Sequence, residues 1–174
     1  LFRSHDFSDK YFETGSDTLL WLSDLHFGTD DVFKVKMAKE TDVTLTAHIR
    51  NAYNDLNKVG GLIITGDITS LGNPEGFTKA EEFIVDLNRN LTRKLISENI
   101  IFCPGNHDFV RKNEMLGNGV PEMVSENPDS ISAYKEFYSS IHNLNPNEYM
   151  ACGRRLLMST GRTVEIVALN SLIL

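Results

Sequence analysis

Thr18-Leu19-Leu20-Trp21-Leu22-Ser23-Asp24-Leu25-His26 is a short apolar run that ends in a carboxylate and an imidazole two positions apart. Apolar, aromatic or β-branched runs closed by turn residues are strand signals. The same arrangement occurs twice more. Gly61 to Thr65 leads into Gly66-Asp67-Ile68-Thr69, and Asn99 to Cys103 leads through Pro104 into Gly105-Asn106-His107-Asp108. Between these runs the apolar spacing is helical: Ile49, Ala52, Tyr53, Leu56 and Val59 form one stripe, stopped by Gly60-Gly61, and Phe77, Ala80, Ile84, Leu87, Leu91 and Leu95 form another. Asn73 suits the cap of the second helix and Pro74 its first position, where a missing N–H costs nothing. Strand, helix, strand, helix, strand predicts an α/β fold with two successive βαβ crossovers and helices packed on a face of a parallel sheet. The carboxyl ends of parallel strands converge on one crevice, so the three polar clusters are expected to meet.

The rest of the chain adds fewer constraints. Lys112 to Pro128 is punctuated by Asn113, Gly117, Asn118, Gly119, Pro121 and Asn127 and reads as a long loop or lid, as does Gly28 to Glu40. Ile131, Tyr134, Phe137, Ile141 and Leu144 predict a third helix. Arg154 to Met158 and Val164 to Leu169 predict two strands joined as a hairpin by Ser159-Thr160-Gly161-Arg162.

With 41% hydrophobic and 24% charged residues in 174, the composition is that of a folded domain and excludes a disordered polymer. The longest aliphatic or aromatic run, Leu19 to Leu22, is far short of the roughly 20 residues that span a bilayer. No secretory signal stands in the first 17 residues, which hold Arg3, Asp6, Asp9, Lys10, Glu13 and Asp17. Cys103 and Cys152 make no CxxC spacing, which points to a reducing, cytoplasmic compartment. The net charge of -7 opposes any grip on polyanions by global charge, so a phosphate substrate requires a local source of positive charge.

The polar clusters offer such a source. Asp24 and His26 can reach one ion, the two oxygens of Asp67 could bridge two, and Asn106 adds an amide oxygen. Oxygen and imidazole donors suit manganese, iron or zinc and argue against copper(I). Two divalent ions would outweigh the local carboxylates, hold phosphate oxygens and activate a water for in-line attack. His107 is free to protonate a departing oxygen. Asp108 either orients a neighbour or caps a turn, and Arg111 either touches substrate phosphate or is a solvated surface arginine. His48 and His142, each in a predicted helix, read as surface or boundary residues, and Cys103 as a small core residue.

In this order, each behind a strand, Asp24-Leu25-His26, Gly66-Asp67 and Gly105-Asn106-His107-Asp108 resemble the first three motifs of the calcineurin-like metallophosphoesterases. The resemblance runs from about Leu19 to Leu174. It implies an α/β fold of two facing mixed sheets flanked by helices, an α/β/β/α sandwich. It also implies that Asp24 and His26 bind a first metal, Asp67 bridges, Asn106 binds the second, and His107 assists the leaving group. The activity implied is hydrolysis of a phosphodiester or phosphomonoester by metal-activated water, with two divalent ions, manganese foremost and iron or zinc as alternatives. The run Gly66 to Glu75 looks like the cyclic-nucleotide phosphodiesterase branch, because Ser70-Leu71-Gly72 stands where protein serine/threonine phosphatases place Asp-Arg-Gly. Double-strand-break nucleases share the three motifs as well.

One departure shapes the expected domain plan. Family members draw further ligands from a histidine after a fourth strand and a Gly-His-x-His after a fifth, whereas here the other histidines are His5, His48 and His142. Residues 1–17 are therefore expected to form an amino-terminal extension and residues 18–174 the amino-terminal part of the domain, incomplete at its carboxyl end. Leu1 and Leu174 read as cuts, with further chain or domains beyond residue 174. A phosphate ester, with a nucleotide among the options, is the expected partner, and no membrane is. The alternatives are a non-catalytic binding module on the same fold, or a nuclease or sensor domain of a larger protein.

Overall fold

A computed structural model describes residues 7–28, 45–53, 56–70, 72–109, 111–115, 121–126, 128–148 and 150–170. Strands β2 (Thr18–Ser23), β3 (Val59–Thr65) and β4 (Ile100–Cys103) form a parallel sheet in the order β2-β3-β4. These are the three runs singled out above, and all three polar clusters leave the same edge of this sheet. Helices α1 (Leu45–Ala52) and α2 (Pro74–Asn90) lie within the two crossovers, and α3 (Pro128–His142) packs beside α2.

Alternation within the strands creates two cores. Leu62, Ile64 and Phe102 face the helices, where they join Ile49 of α1, Phe77, Phe83 and Leu87 of α2, and Tyr134, Phe137 and Tyr138 of α3. The opposite face of the sheet carries Leu19, Ile101 and Cys103, which pack on Phe12, Cys152, Leu156, Val164 and Ile166 of a second sheet. That sheet has the order β1-β7-β8 and comprises β1 (Phe7–Glu13), β7 (Cys152–Leu157) and β8 (Thr163–Ala168). β1 and β7 run parallel while β7 and β8 form the expected antiparallel hairpin. On its outer face Arg155 pairs with Glu165 at 2.8 Å and lies over the ring of Tyr11. The described residues thus supply three successive layers of the expected sandwich: helices, sheet and sheet.

Several elements differ from the sequence reading. β1 lies within the residues read as an extension, and its partner is more than a hundred residues away, so no local pattern signals it. The first helix begins earlier and ends at Ala52; Leu56–Lys58 is a single 3-10 turn, and Val59 and Gly60 open β3, where the ladder to β2 satisfies their backbone better than a helix end would. Part of the stretch from Lys112 to Pro128 is an antiparallel pair, β5 (Arg111–Met115) with β6 (Pro121–Glu126). Its glycine-rich centre, like residues 29–40 of the other predicted loop, lies outside the described residues. His142 is buried rather than at the surface, its ring stacked on Phe102 with centroids 5.1 Å apart. Imidazole at a helix end can serve as one more core aromatic, which the helical pattern alone does not reveal. His48, within α1, is half-buried at the boundary between core and surface, as expected. Among the described residues, no helix is long and apolar enough to cross a membrane.

Asn73 caps α2 as read: its Oδ1 accepts the N–H of Gly76 at 2.8 Å, with Pro74 directly following. Losing such a cap costs about 1 kcal/mol. Asn73→Ala is expected to lower the urea-unfolding free energy by that amount, and Asn73→Asp to leave it nearly unchanged.

Candidate metal centre

The loops leaving β2 and β3 are zipped together before any side chain is considered. The N–H of Asp24 donates to Gly66 O, that of His26 to Asp67 O at 2.9 Å, and that of Phe27 to Ile68 O at 2.9 Å. The third loop joins through Gly66 N–H to Cys103 O at 3.1 Å. Ser70 closes the seam, its N–H on Phe27 O and its Oγ on His26 O at 2.7 Å.

Asp24, His26 and Asp67 hold φ of 56°, 51° and 47°. Left-handed backbone is uncommon for non-glycine residues and concentrates at functional sites. Asp24 and His26, two positions apart, are brought together by this left-handed geometry rather than by the alternation of extended chain. Ligand atoms of Asp24, His26 and Asp67 all lie within 4.8 Å of one another. Ligands about 2.0–2.2 Å from a common ion stand at most roughly 4.4 Å apart, so the cluster needs to close by only a few tenths of an ångström to hold one. Ser23 Oγ donates to Asp24 Oδ2, and among the described residues neither Asp24 nor Asp67 has a lysine or arginine partner. Two adjacent carboxylates with no lysine or arginine on them among the described residues, together with an imidazole, fit a divalent cation.

The third motif lies against this cluster. His107 N–H donates to Asp67 Oδ1 at 3.0 Å, and the His107 ring stands edge-on to His26 with centroids 4.8 Å apart. His107 Nδ1 is 3.3 Å from the carbonyl of Ser70. A carbonyl can only accept, so this contact places the proton on Nδ1 and leaves Nε2 as the second working atom. Asn106 shares with Asp67 a cleft of about 310 Å3, lined also by Thr65, Cys103, Pro104, Gly105 and Leu169. Burial pushes the Cys103 thiol up, so this half-buried wall residue stays neutral. Gly105 is required by contact: a Cβ there would fall within 3.0 Å of both N and Oδ1 of Asp67.

The chain matches the calcineurin-like phosphoesterase family over residues 18–172. It belongs to that family. Comparison with curated proteins and with solved structures gives no match. Family membership implies a hydrolase of phosphate esters that uses divalent metal ions, and the Asp24, His26 and Asp67 cluster is a group in this phosphoesterase able to hold one. Asp108 is fully buried and its carboxylate accepts four hydrogen bonds. Desolvation raises its pKa while those bonds oppose the rise. Arg111 opens β5, and its side chain lies outside the described residues. The sequence singled out Ser70 only as part of Ser70-Leu71-Gly72; its contact with His107 was not foreseen, since it is made through a backbone carbonyl, which carries no residue-type signal.

Proposed function

We propose that this phosphoesterase hydrolyses a phosphodiester at a dinuclear centre. In this reading Asp24 and His26 would hold the first ion, Asp67 would serve both, Asn106 would hold the second, and manganese would be the ion supplied. The observation that carries it is the convergence of Asp24, His26 and Asp67 ligand atoms within 4.8 Å, with His107 hydrogen-bonded to the same Asp67 and Asn106 on the same cleft. Bound divalent ions supply positive charge for phosphate oxygens and lower the pKa of water.

The chain's own residues do the remainder. Asp67 joins the two halves of the donor set, and its seat is shaped by Gly105. His107, oriented through Nδ1–H by Ser70 O, would in its imidazolium form give the Nε2 proton to the departing ester oxygen and be left neutral with its proton on Nδ1. In this reading the ester occupies the cleft that Asp67 and Asn106 share. A cytoplasmic setting goes with this reading, since Cys103 and Cys152 make no CxxC spacing.

Metal removal tests it. Chelator-treated full-length protein should hydrolyse bis(p-nitrophenyl) phosphate at least about 10²-fold more slowly, with Mn²⁺ restoring the rate. Hydrolysis indifferent to chelation would overturn the metal mechanism. No hydrolysis of this or any simple phosphate ester with Mn²⁺ present would leave the non-catalytic binding module as the better reading.

A further inference from the structure

Asp108 has no exposed surface, and where its four donors come from separates the two roles that the sequence left open. A residue that merely capped its own turn would draw its donors from that turn. Here only the N–H of Gly105, 2.8 Å from Oδ2, is local. The other three come from the loop after β3: Ile68 N–H on the same Oδ2 at 3.1 Å, and Thr69 N–H and Oγ1 on Oδ1 at 2.6 and 3.0 Å. One carboxylate oxygen therefore receives an N–H from each loop, directly beside Asp67 on one side and Asn106 on the other. Thr69 extends the brace, since its Oγ1 also accepts the N–H of Gly72 at 2.9 Å. The residue after Thr69 is Ser70, whose carbonyl meets His107 Nδ1.

We infer that Asp108 is a positioning residue that holds the loop carrying Asn106 and His107 in register with the loop carrying Asp67, and so sets the second half of the centre apart from the first. This rests on the dinuclear reading above. Asp24, His26 and Asp67 are joined by the backbone seam between the first two loops, whose own hydrogen bonds are made without Asp108; Asp108 takes only the outward N–H groups of Ile68 and Thr69 beside it. Asn106 has no such seam; its place relative to Asp67 depends on the Asp108 brace, the bond from Gly66 N–H to Cys103 O and the bond from His107 N–H to Asp67. Loss of the brace should consequently act on one metal position and not on both. Partners that orient ligands in this way are typically worth about 10–100-fold in metal affinity.

The test is a Mn²⁺ titration of the full-length protein followed by electron paramagnetic resonance, on wild type, Asp108→Asn, Thr69→Val and Thr69→Ser. Thr69→Val is near-isosteric and removes only the hydroxyl's three bonds, to Asp108 Oδ1, from Gly72 N–H and, at 3.5 Å, to His107 O, so it remains informative if Asp108→Asn does not fold. Wild type should bind two ions and give the spectrum of a coupled pair. Both Asp108→Asn and Thr69→Val should hold the first ion within about twofold and bind the second about 10-fold or more weakly, giving an isolated-ion spectrum at low Mn²⁺. Thr69→Ser should restore the coupled pair. Variants that keep the coupled pair at wild-type affinity, or that weaken both positions equally, would overturn the inference. Wild type that takes up a single ion would instead overturn the dinuclear reading on which it rests.

Discussion

Asp67→Ala is expected to reduce kcat/KM for a phosphodiester by about 10³-fold or more, the upper range seen when a group acting directly on transition-state charge is removed. No other side chain in the centre has as many roles. Its carboxylate belongs to the three-residue donor cluster, accepts the N–H of His107 at 3.0 Å, and fills the space that Gly105 leaves free of a Cβ. Alanine would leave Asp24 and His26 as an isolated pair and release His107 from its anchor. The same variant should lose tight Mn²⁺ binding in a calorimetric titration, while Glu82→Ala on the exposed face of α2 should change neither quantity. Asp67→Ala with wild-type turnover and wild-type metal affinity would remove this residue from the centre.

His107→Ala should separate chemistry from metal binding. A general acid contributes typically 10²–10⁴-fold, and its contribution grows as the leaving group becomes more basic. The expected loss is therefore large for an alkyl ester and much smaller for a p-nitrophenyl ester, whose phenolate departs without a proton. Mn²⁺ affinity should stay within about threefold, because in the proposed assignment His107 is not a ligand. Its ring is exposed, meets His26 edge-on, and is tied by Nδ1 to a carbonyl, which leaves Nε2 able to carry a proton. Equal losses on both esters, or a collapse of metal affinity, would contradict the assignment of a proton-donating role.

Much of the fold was legible because its signals are local. The strands β2, β3 and β4 and the cap of α2 each declare themselves within about ten residues, and an alternating or 3.6-residue apolar pattern has a direct energetic meaning on a sheet or helix face. β1 had no such declaration: Phe7–Glu13 pairs with β7, so its strand character depends on Cys152–Leu157. His142 looked like a polar residue at a helix end until Phe102 and Tyr138 were seen to enclose it. The hairpin of β5 and β6 was hidden because asparagine and glycine within the segment dominated its reading, whereas pairing across the turn is a property of both arms.

The sequence by itself determined the chemistry available to this phosphoesterase: carboxylate, imidazole and amide donors placed directly after three successive strands, in an order that points to one crevice. It could not determine how those donors meet. Left-handed backbone at Asp24, His26 and Asp67, the contact between Gly105 and Asp67, and the carbonyl of Ser70 on His107 are consequences of three loops packed together. The two meanings of Asp108, cap or brace, differ only in which loop supplies the donors, and the answer came from Ile68 and Thr69, some forty residues earlier in the chain. Residue types and local periodicity are written along one dimension, but hydrogen bonds between loops depend on distances that exist only once the parallel strands have brought their carboxyl ends to the same edge.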